Sequence, residues 1–360
     1  MKVLHLDAGK DWRGGQQQVW FLAHALRDHQ VSQFFAVRRA TLLAERLRRQ
    51  DFHLEELGFG SEFDPGSLFQ LGRIVRRFNP DVIHAHDSRS LGLAALLRLG
   101  GTQAKLVASR RVAFGLRRNP LRLMKYQTLT SRILAVSRYI RETLIRDGIA
   151  DHRIDVVYDG LDLHSVSRIG KQEARRQLGL KGRLIGTVGQ FTEEKGHGFL
   201  IEAFALLSPR IPNAWLILAG NGRLEARYRR LVHSLKLDEK VVFLDPSVDL
   251  NALLQALDVF VLPSIEEGLG SILLLALAHE LPVCASQTGG IPEIVIPETT
   301  GFLVPPRDAD RLGSALVEVL QNDAKAKDVA HRGRQLVEDQ FSVERMAAQT
   351  LQIYANVLAT

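Results

Sequence analysis

Short apolar runs alternate with helical patterns along nearly the whole chain, and the alternation runs twice. In the first series the runs are Lys2–Leu6, Gln33–Val37, His53–Leu57, Asp81–Ala85, Lys105–Ser109 and Arg132–Val136. Helical periodicity lies between them, at Gln16–Arg27, Leu68–Phe78, Leu91–Leu99 and Tyr139–Arg146. Strands that read as continuous apolar runs are buried on both faces. A parallel sheet covered by crossover helices buries them in that way. The series restarts with Arg183–Val188, Trp215–Ala219, Val241–Leu244, Val259–Leu262 and Pro282–Ala285. Its helices include His197–Leu207, Leu224–Leu235 and Leu250–Ala256, and a polar stretch, Asp159–Gln172, marks the hinge between the two series. After Pro305-Pro306 the pattern is helical, over Asp308–Gln321, Ala324–Glu338 and Val343–Leu358. The expected fold class is α/β, with two Rossmann-like domains in tandem. At 360 residues the chain is too long for one ordinary core.

Charge is unevenly placed. Residues 1–170 carry 27 Lys and Arg against 17 Asp and Glu, whereas residues 171–360 carry 20 against 23. A basic half beside a near-neutral half implies an anionic partner for the first domain. Nucleic acid is disfavoured, because no basic run is interleaved with aromatics and no binding motif is present. Leu116-Arg117-Arg118-Asn119-Pro120-Leu121-Arg122-Leu123-Met124-Lys125 sets cations beside Leu and Met. That pattern suits an anionic membrane or acceptor phosphates, with a solvated helix face as the plainer reading. No run of about 18 uncharged apolar residues exists, and the opening MKVLHLDAGK enters a strand rather than a signal peptide. The single cysteine, Cys284, excludes an intrachain disulfide, fits a reducing compartment and reads as a small core residue. The expected location is cytoplasmic, with a peripheral position on the inner membrane face as the extension.

The chemistry concentrates in Pro263–Val295. Glu266-Glu267 precedes Gly268-Leu269-Gly270, and an apolar helical stretch, a strand and a second glycine turn at Gly289-Gly290 follow. A strand end, a glycine turn and a helix start offer unpaired N–H groups to a phosphate. Gly189-Gln190-Phe191-Thr192-Glu193-Glu194-Lys195-Gly196 is a second such turn, with a lysine able to neutralise phosphate charge. Gly14-Gly15 follows the first strand, either as a phosphate-facing turn or as a tight connection into the helix. It is not G-x-G-x-x-G, and no acidic residue stands about 20 positions on after a second strand, which argues against a dinucleotide oxidoreductase. His84 and His86 share one strand face. As a metal pair they need further ligands, and none stands at suitable spacing. The only D-x-D, Asp308-Ala309-Asp310, reads as a helix N-cap. No metal site is expected.

These residues resemble the donor-sugar signature of family 4 glycosyltransferases. The resemblance implies a GT-B architecture: two Rossmann-like domains with parallel sheets facing across a cleft, and C-terminal helices packing back. Residues 1–163 would bind the acceptor, 164–340 the nucleotide sugar, and 341–360 would return to the first domain. Glu267 matches the first glutamate of the family's E-x7-E motif, which holds donor-sugar hydroxyls. Lys195 matches its diphosphate-binding lysine, and His86 its strand-end histidine beside the transferring sugar. Gly14, Gly15, Gly268, Leu269, Gly270 and Ser271 would approach the diphosphate, and Asn221 and Leu244 would wall the base. Arg110 and Arg111, with Arg117, Arg118, Arg122 and Lys125, are candidates for acceptor or membrane contact.

Two positions depart from the family. Gln190 stands where it has a diphosphate-binding arginine, and Leu275 where its second glutamate grips the ribose. An amide supplies no permanent cation, and an alkyl chain supplies no hydrogen-bond acceptor for a diol. The implied activity is retaining transfer of a hexosyl group, without metal or cofactor. The donor would be a nucleotide-diphosphate sugar, UDP- before GDP-. The acceptor would be a bacterial envelope glycan or glycolipid, with lipopolysaccharide core preferred. The alternatives are a catalytically degenerate sugar-nucleotide-binding protein and a GT-B sugar-nucleotide epimerase.

Overall fold

The structure is a computed structural model that describes residues 1–61, 64–113, 115–116 and 123–359. The chain divides into two compact units, one of Met1–Gly160 with Val343–Thr360, the other of Leu161–Ser342. In the first, or N-terminal, unit seven parallel strands are described: β1 (Lys2–Asp7), β2 (Ser32–Arg38), β3 (Leu54–Leu57), β4 (Val82–Ala85), β5 (Lys105–Arg110), β6 (Arg132–Ala135) and β7 (Ile154–Val156). They lie in the order β3-β2-β1-β4-β5-β6-β7. The C-terminal unit holds β8 (Arg183–Val188), β9 (Ala214–Ala219), β10 (Val241–Leu244), β11 (Val259–Leu262), β12 (Val283–Ser286) and β13 (Phe302–Val304). Their order is β10-β9-β8-β11-β12-β13, again all parallel. Both units are doubly wound Rossmann-like sheets, as the alternation of apolar runs predicts.

The strands β7 and β13 and the helices Leu42–Arg49 and Lys171–Leu178 have no counterpart in the sequence reading. β7 and β13 are three residues long, too short to show a period. The helix Leu42–Arg49 is largely charged and is announced only by Thr41, whose hydroxyl accepts from the Ala44 N–H at 3.3 Å. Several boundaries shift by one to three residues, and one of them bears on the site. The first long helix begins at Gly14 rather than Gln16, so Gly14-Gly15 is its opening turn and not a connection before it.

Each unit has its own apolar core. In the C-terminal unit Ile185, Leu216, Leu218, Val259 and Val261 pack against Leu200, Phe204 and Leu316. In the N-terminal unit Val3, Val82, Val107 and Leu134 meet Phe21 and Leu22, and also Met346, Ile353 and Tyr354 of the helix Val343–Ala359. A fully buried side chain of this size contributes roughly 1.5–3 kcal/mol. The last helix therefore completes the core of the unit that begins the chain. Among the described residues no helix is long and apolar enough to cross a membrane.

Candidate functional site

In each sheet the strand order reverses once, between β1 and β4 and between β8 and β11. Open α/β sheets bind ligands outside the carboxyl ends of the strands at such a switch point. Lys195, Glu267 and His86 lie just beyond three of these strands, β8, β11 and β4, and Gly14-Gly15 open the helix after β1.

In the C-terminal unit, β8 leads through Gly189-Gln190 to the 3₁₀ turn Glu193–Lys195, and β11 leads into Pro263–Ser271. The two loops are laced together. The Ile265 N–H donates to the Glu194 carbonyl at 2.8 Å. Gly196 has φ +66°, and a Cβ there would stand 2.0 Å from the Pro263 carbonyl oxygen, so only glycine permits the approach. The lacing brings Lys195 Nζ to 2.6 Å from Glu267 Oε2, and the Ser264 hydroxyl donates to the same oxygen at 3.1 Å. Side-chain exposures of 28% and 16% leave both charges within reach of a ligand.

The second glycine turn secures this arrangement from behind. Gly289 has φ +57°, and a Cβ there would overlap the Glu267 carbonyl oxygen at 1.8 Å. The Gly290 N–H donates to that carbonyl at 3.3 Å, and the Thr288 hydroxyl donates to the Ile265 carbonyl at 2.9 Å.

Glu267 is not at a helix start, as the sequence suggested. The helix it precedes is Ile272–Ala278, and Gly268, Leu269 and Gly270 form a buried connecting loop, with Ser271 half-buried at its end. Leu275 is half-buried within that short helix, and Gln190 is half-buried on the β8 turn. Asn221 is exposed, and its carbonyl accepts from the Phe191 N–H at 2.7 Å; the Leu244 carbonyl accepts from the Gly220 N–H at 3.0 Å. These two carbonyls are engaged within the fold. His197, which the sequence reading did not select, is buried behind the Gly189 turn with neither ring nitrogen partnered among the described residues. Burial, and then the Lys195 charge, pushes its pKa down to about 3.

In the N-terminal unit, β1 ends at Asp7 and β4 is followed by His86-Asp87. Asp7 is buried and accepts from the Gly9 N–H at 2.9 Å and from Gln16 Nε2 at 3.1 Å on each oxygen. Asp87 caps the helix Ser88–Leu99, accepting from the Arg89 and Ser90 N–H groups at 2.8 and 3.0 Å, and accepts from the Ala8 N–H at 2.7 Å. Burial, then the Asp87 charge, pushes the Asp7 carboxyl up to about 7, against Gly9, Gln16 and Arg111.

Gly14 has no atom within 4 Å of where a Cβ would stand, and Gly15 meets only Arg111 Cδ at 4.0 Å. Neither glycine is required by backbone or packing, so their lack of side chains leaves open space at the helix start. The Arg111 Nε donates to Asp159 at 3.2 Å, while its Nη1 is buried without a partner among the described residues.

A third histidine joins the pair foreseen. Parallel register sets His5 beside His84, and one ring nitrogen from each of His5, His84 and His86 lies within 4.8 Å of the other two. His5 of β1 thus stands beside His84 and His86, a neighbour that spacing along the sequence could not show.

Two of the six cations assigned to acceptor or membrane contact are also buried. Arg110 is buried, with its guanidinium 3.4 Å from Tyr126 Oη. Lys125 is buried, with its ammonium 3.4 Å from the Ser88 carbonyl. Neither is available to a membrane surface. Arg117, Arg118 and Arg122 lie outside the described residues. Cys284 is in the core, where burial, with Glu318 adding to it, pushes its thiol up to about 12.

Two doubly wound units, each carrying polar groups at its switch point, define the GT-B class. The model for Glycosyltransferase Family 4 matches residues 12–165, and that for Glycosyl transferases group 1 matches residues 170–336. The chain belongs to the family 4 glycosyltransferases, each half matching one of the family's two domains. It is 25% identical to the lipopolysaccharide core biosynthesis glycosyltransferase LpsE of Rhizobium meliloti, over 99% of both chains. It is 28% identical to an uncharacterized glycosyltransferase, MJ1607, of Methanocaldococcus jannaschii, over 62% of this chain and 59% of that one. In fold it is similar to Anabaena HepE in complex with UDP-glucose, with a TM-score of 0.90, 20% identity, and coverage of 99% of this chain and 100% of that one.

Proposed function

We propose that this glycosyltransferase moves a hexosyl group from a UDP-sugar to a bacterial envelope glycan, lipopolysaccharide core first, with retention at the anomeric carbon and without a divalent metal. The observation that carries the reading is the Lys195–Glu267 pair at 2.6 Å, on a glycine-lined loop at the switch point of the C-terminal unit. A carboxylate that accepts from sugar hydroxyls and an ammonium that meets the leaving diphosphate are the two charges a sugar-nucleotide bond needs as it breaks. Before the donor arrives, the pair neutralises itself. When it binds, the ammonium turns to the diphosphate and the carboxylate is released to the hydroxyls.

The leaving diphosphate then takes the acceptor proton as the acceptor attacks from the same face, so no enzyme nucleophile is required. The acceptor belongs to the N-terminal unit, whose sequence carries the excess of cations, and a peripheral place on the inner membrane face fits a glycolipid. The lipopolysaccharide choice leans on the full-length likeness to LpsE, and UDP on the ligand of HepE.

The test is transfer from UDP-, GDP- and ADP-sugars to a lipopolysaccharide-core acceptor, with and without EDTA, beside thermal shifts for each donor. Transfer from a UDP-sugar that survives EDTA supports the reading; a shift with no transfer to any acceptor supports a binding protein. That second reading has its own observation: Gln190 and Leu275 leave the β8 turn without an arginine and the short helix without a carboxylate.

A further inference from the structure

The Glu267 carboxylate is held by two donors of different kinds. Its Oε2 accepts from the Lys195 ammonium at 2.6 Å and from the Ser264 hydroxyl at 3.1 Å. Its other oxygen, Oε1, accepts from no described residue and is not buried, so it is the oxygen open to a ligand. Ser264 is fully buried, two residues beyond the end of β11, where the sheet fixes its place. A carboxylate only accepts, so the hydroxyl donates to it. The ammonium is tied less firmly. Lys195 keeps 28% of its side chain exposed and has no other hydrogen-bond partner among the described residues.

The loops that carry the two charges do not depend on the ion pair. The Ile265 N–H donates to the Glu194 carbonyl at 2.8 Å, the Thr288 hydroxyl to the Ile265 carbonyl at 2.9 Å, and the Gly290 N–H to the Glu267 carbonyl at 3.3 Å. All three end on main-chain carbonyls, so none is lost when the ammonium turns away. The Ser264 hydroxyl is then the one donor left on the Glu267 side chain among the described residues. Without it the carboxylate would turn freely, and the cost of ordering it would fall on binding of the sugar.

We propose that Ser264 is a positioning residue: it keeps hold of Glu267 Oε2 while Lys195 moves to the leaving diphosphate, and so presents Oε1 to the hydroxyls of the donor sugar. The inference rests on the reading of Glu267 as the sugar-side carboxylate, and adds which of its oxygens meets the sugar and what aims it. Ser264 then acts on the sugar and not on the diphosphate, whose partner is Lys195. A hydrogen bond to a charged group is worth about 10–100-fold.

The test compares steady-state transfer by the full chain from UDP-glucose or UDP-galactose, whichever is the better donor, with transfer from its monodeoxy forms, beside the affinity for UDP alone. Ser264→Ala should lower kcat/KM for the intact donor by about 10–100-fold and leave the affinity for UDP at its wild-type value. It should also shrink the preference for the intact sugar over the deoxy form that lacks the hydroxyl met by Oε1, because an unaimed carboxylate no longer tells the two apart. Ser264→Cys, of similar size but a weaker donor, should lower kcat/KM by less and serves if Ser264→Ala does not fold. Equal losses for the intact and every deoxy donor, or a matching loss of UDP affinity, mark a merely structural serine and overturn the proposal. Glu267→Ala separates this from the wider reading. Full transfer by Glu267→Ala overturns the sugar-side role of Glu267 itself, whereas an impaired Glu267→Ala beside an unimpaired Ser264→Ala overturns the role of Ser264 alone.

Discussion

The two switch points solve the problem of placing polar groups at a sheet's edge in opposite ways. In the C-terminal unit the key groups are charged, partly exposed and paired: Lys195 and Glu267 keep 28% and 16% of their side-chain surface open. In the N-terminal unit they are buried and mostly neutral: His5, His84 and His86 have lost their affinity for protons, and Asp7 keeps its proton to about pH 7. A half-exposed ion pair can exchange its partner for a ligand at small cost. A buried network cannot move without leaving a polar atom unsatisfied, at about 1–3 kcal/mol. One edge is built to respond and the other to hold a fixed geometry.

The largest effect should come from removing the responsive charge. Lys195→Ala should lower turnover by about 10²-fold or more, the scale of one electrostatic contact in a transition state. Near-normal turnover with saturating donor would break the comparison, because the C-terminal edge would then hold no working cation. Next comes the backstop. Gly289→Ala forces a Cβ onto the Glu267 carbonyl at a left-handed φ, and should cost about 3 kcal/mol of stability, read by denaturant unfolding. A wild-type midpoint would show that the second glycine turn does not brace Glu267.

The buried side is sharpened by pH. The Asp7 carboxyl titrates near 7 in the folded chain and near its ordinary 3.8 when unfolded. Between about pH 4 and 7 the unfolded chain loses this proton first, so stability falls as pH rises through that window and is level above it. Asp7→Asn removes the fall, so its unfolding free energy relative to the wild type should rise from pH 4 to 7, by on the order of 4 kcal/mol. A constant difference across that range would show that Asp7 is ionised when folded. The smallest stability effect belongs to Gly14→Ala, at most about 1 kcal/mol in either direction. Since no neighbour fills that space, a several-fold rise in substrate KM is expected, and an unchanged KM would show that nothing binds there.

The C-terminal edge was legible because each of its halves is one continuous strand, turn and helix. Glycines beside Lys195 and Glu267 mark where the backbone must turn tightly, and that signal is local. What the sequence did not show is that the ammonium and carboxylate already meet. That depends on Gly196 and Gly289 admitting other loops to van der Waals contact. The N-terminal edge was legible only as two histidines and two glycines. His5, Asp7 and Gln16 join it because β1 lies beside β4, and strand order is not written in any single strand's pattern. Arg110 and Lys125 misled for a related reason: a cation reads as surface, yet its alkyl stem buries readily when the head finds an oxygen, here Tyr126 Oη and the Ser88 carbonyl.

Because the helix Val343–Ala359 belongs to the unit that opens the chain, that unit is finished out of order during synthesis. A ribosome makes the whole C-terminal unit before it supplies Tyr354, the residue that satisfies His84 Nδ1. Until then the nascent N-terminal core lacks Met346, Ile353 and Tyr354, and the His84 ring nitrogen lacks its partner. Domains generally fold as they emerge, but here the N-terminal unit waits for a segment translated after the whole C-terminal unit. Truncation between Ser342 and Tyr354 should therefore harm the N-terminal unit more than the C-terminal one.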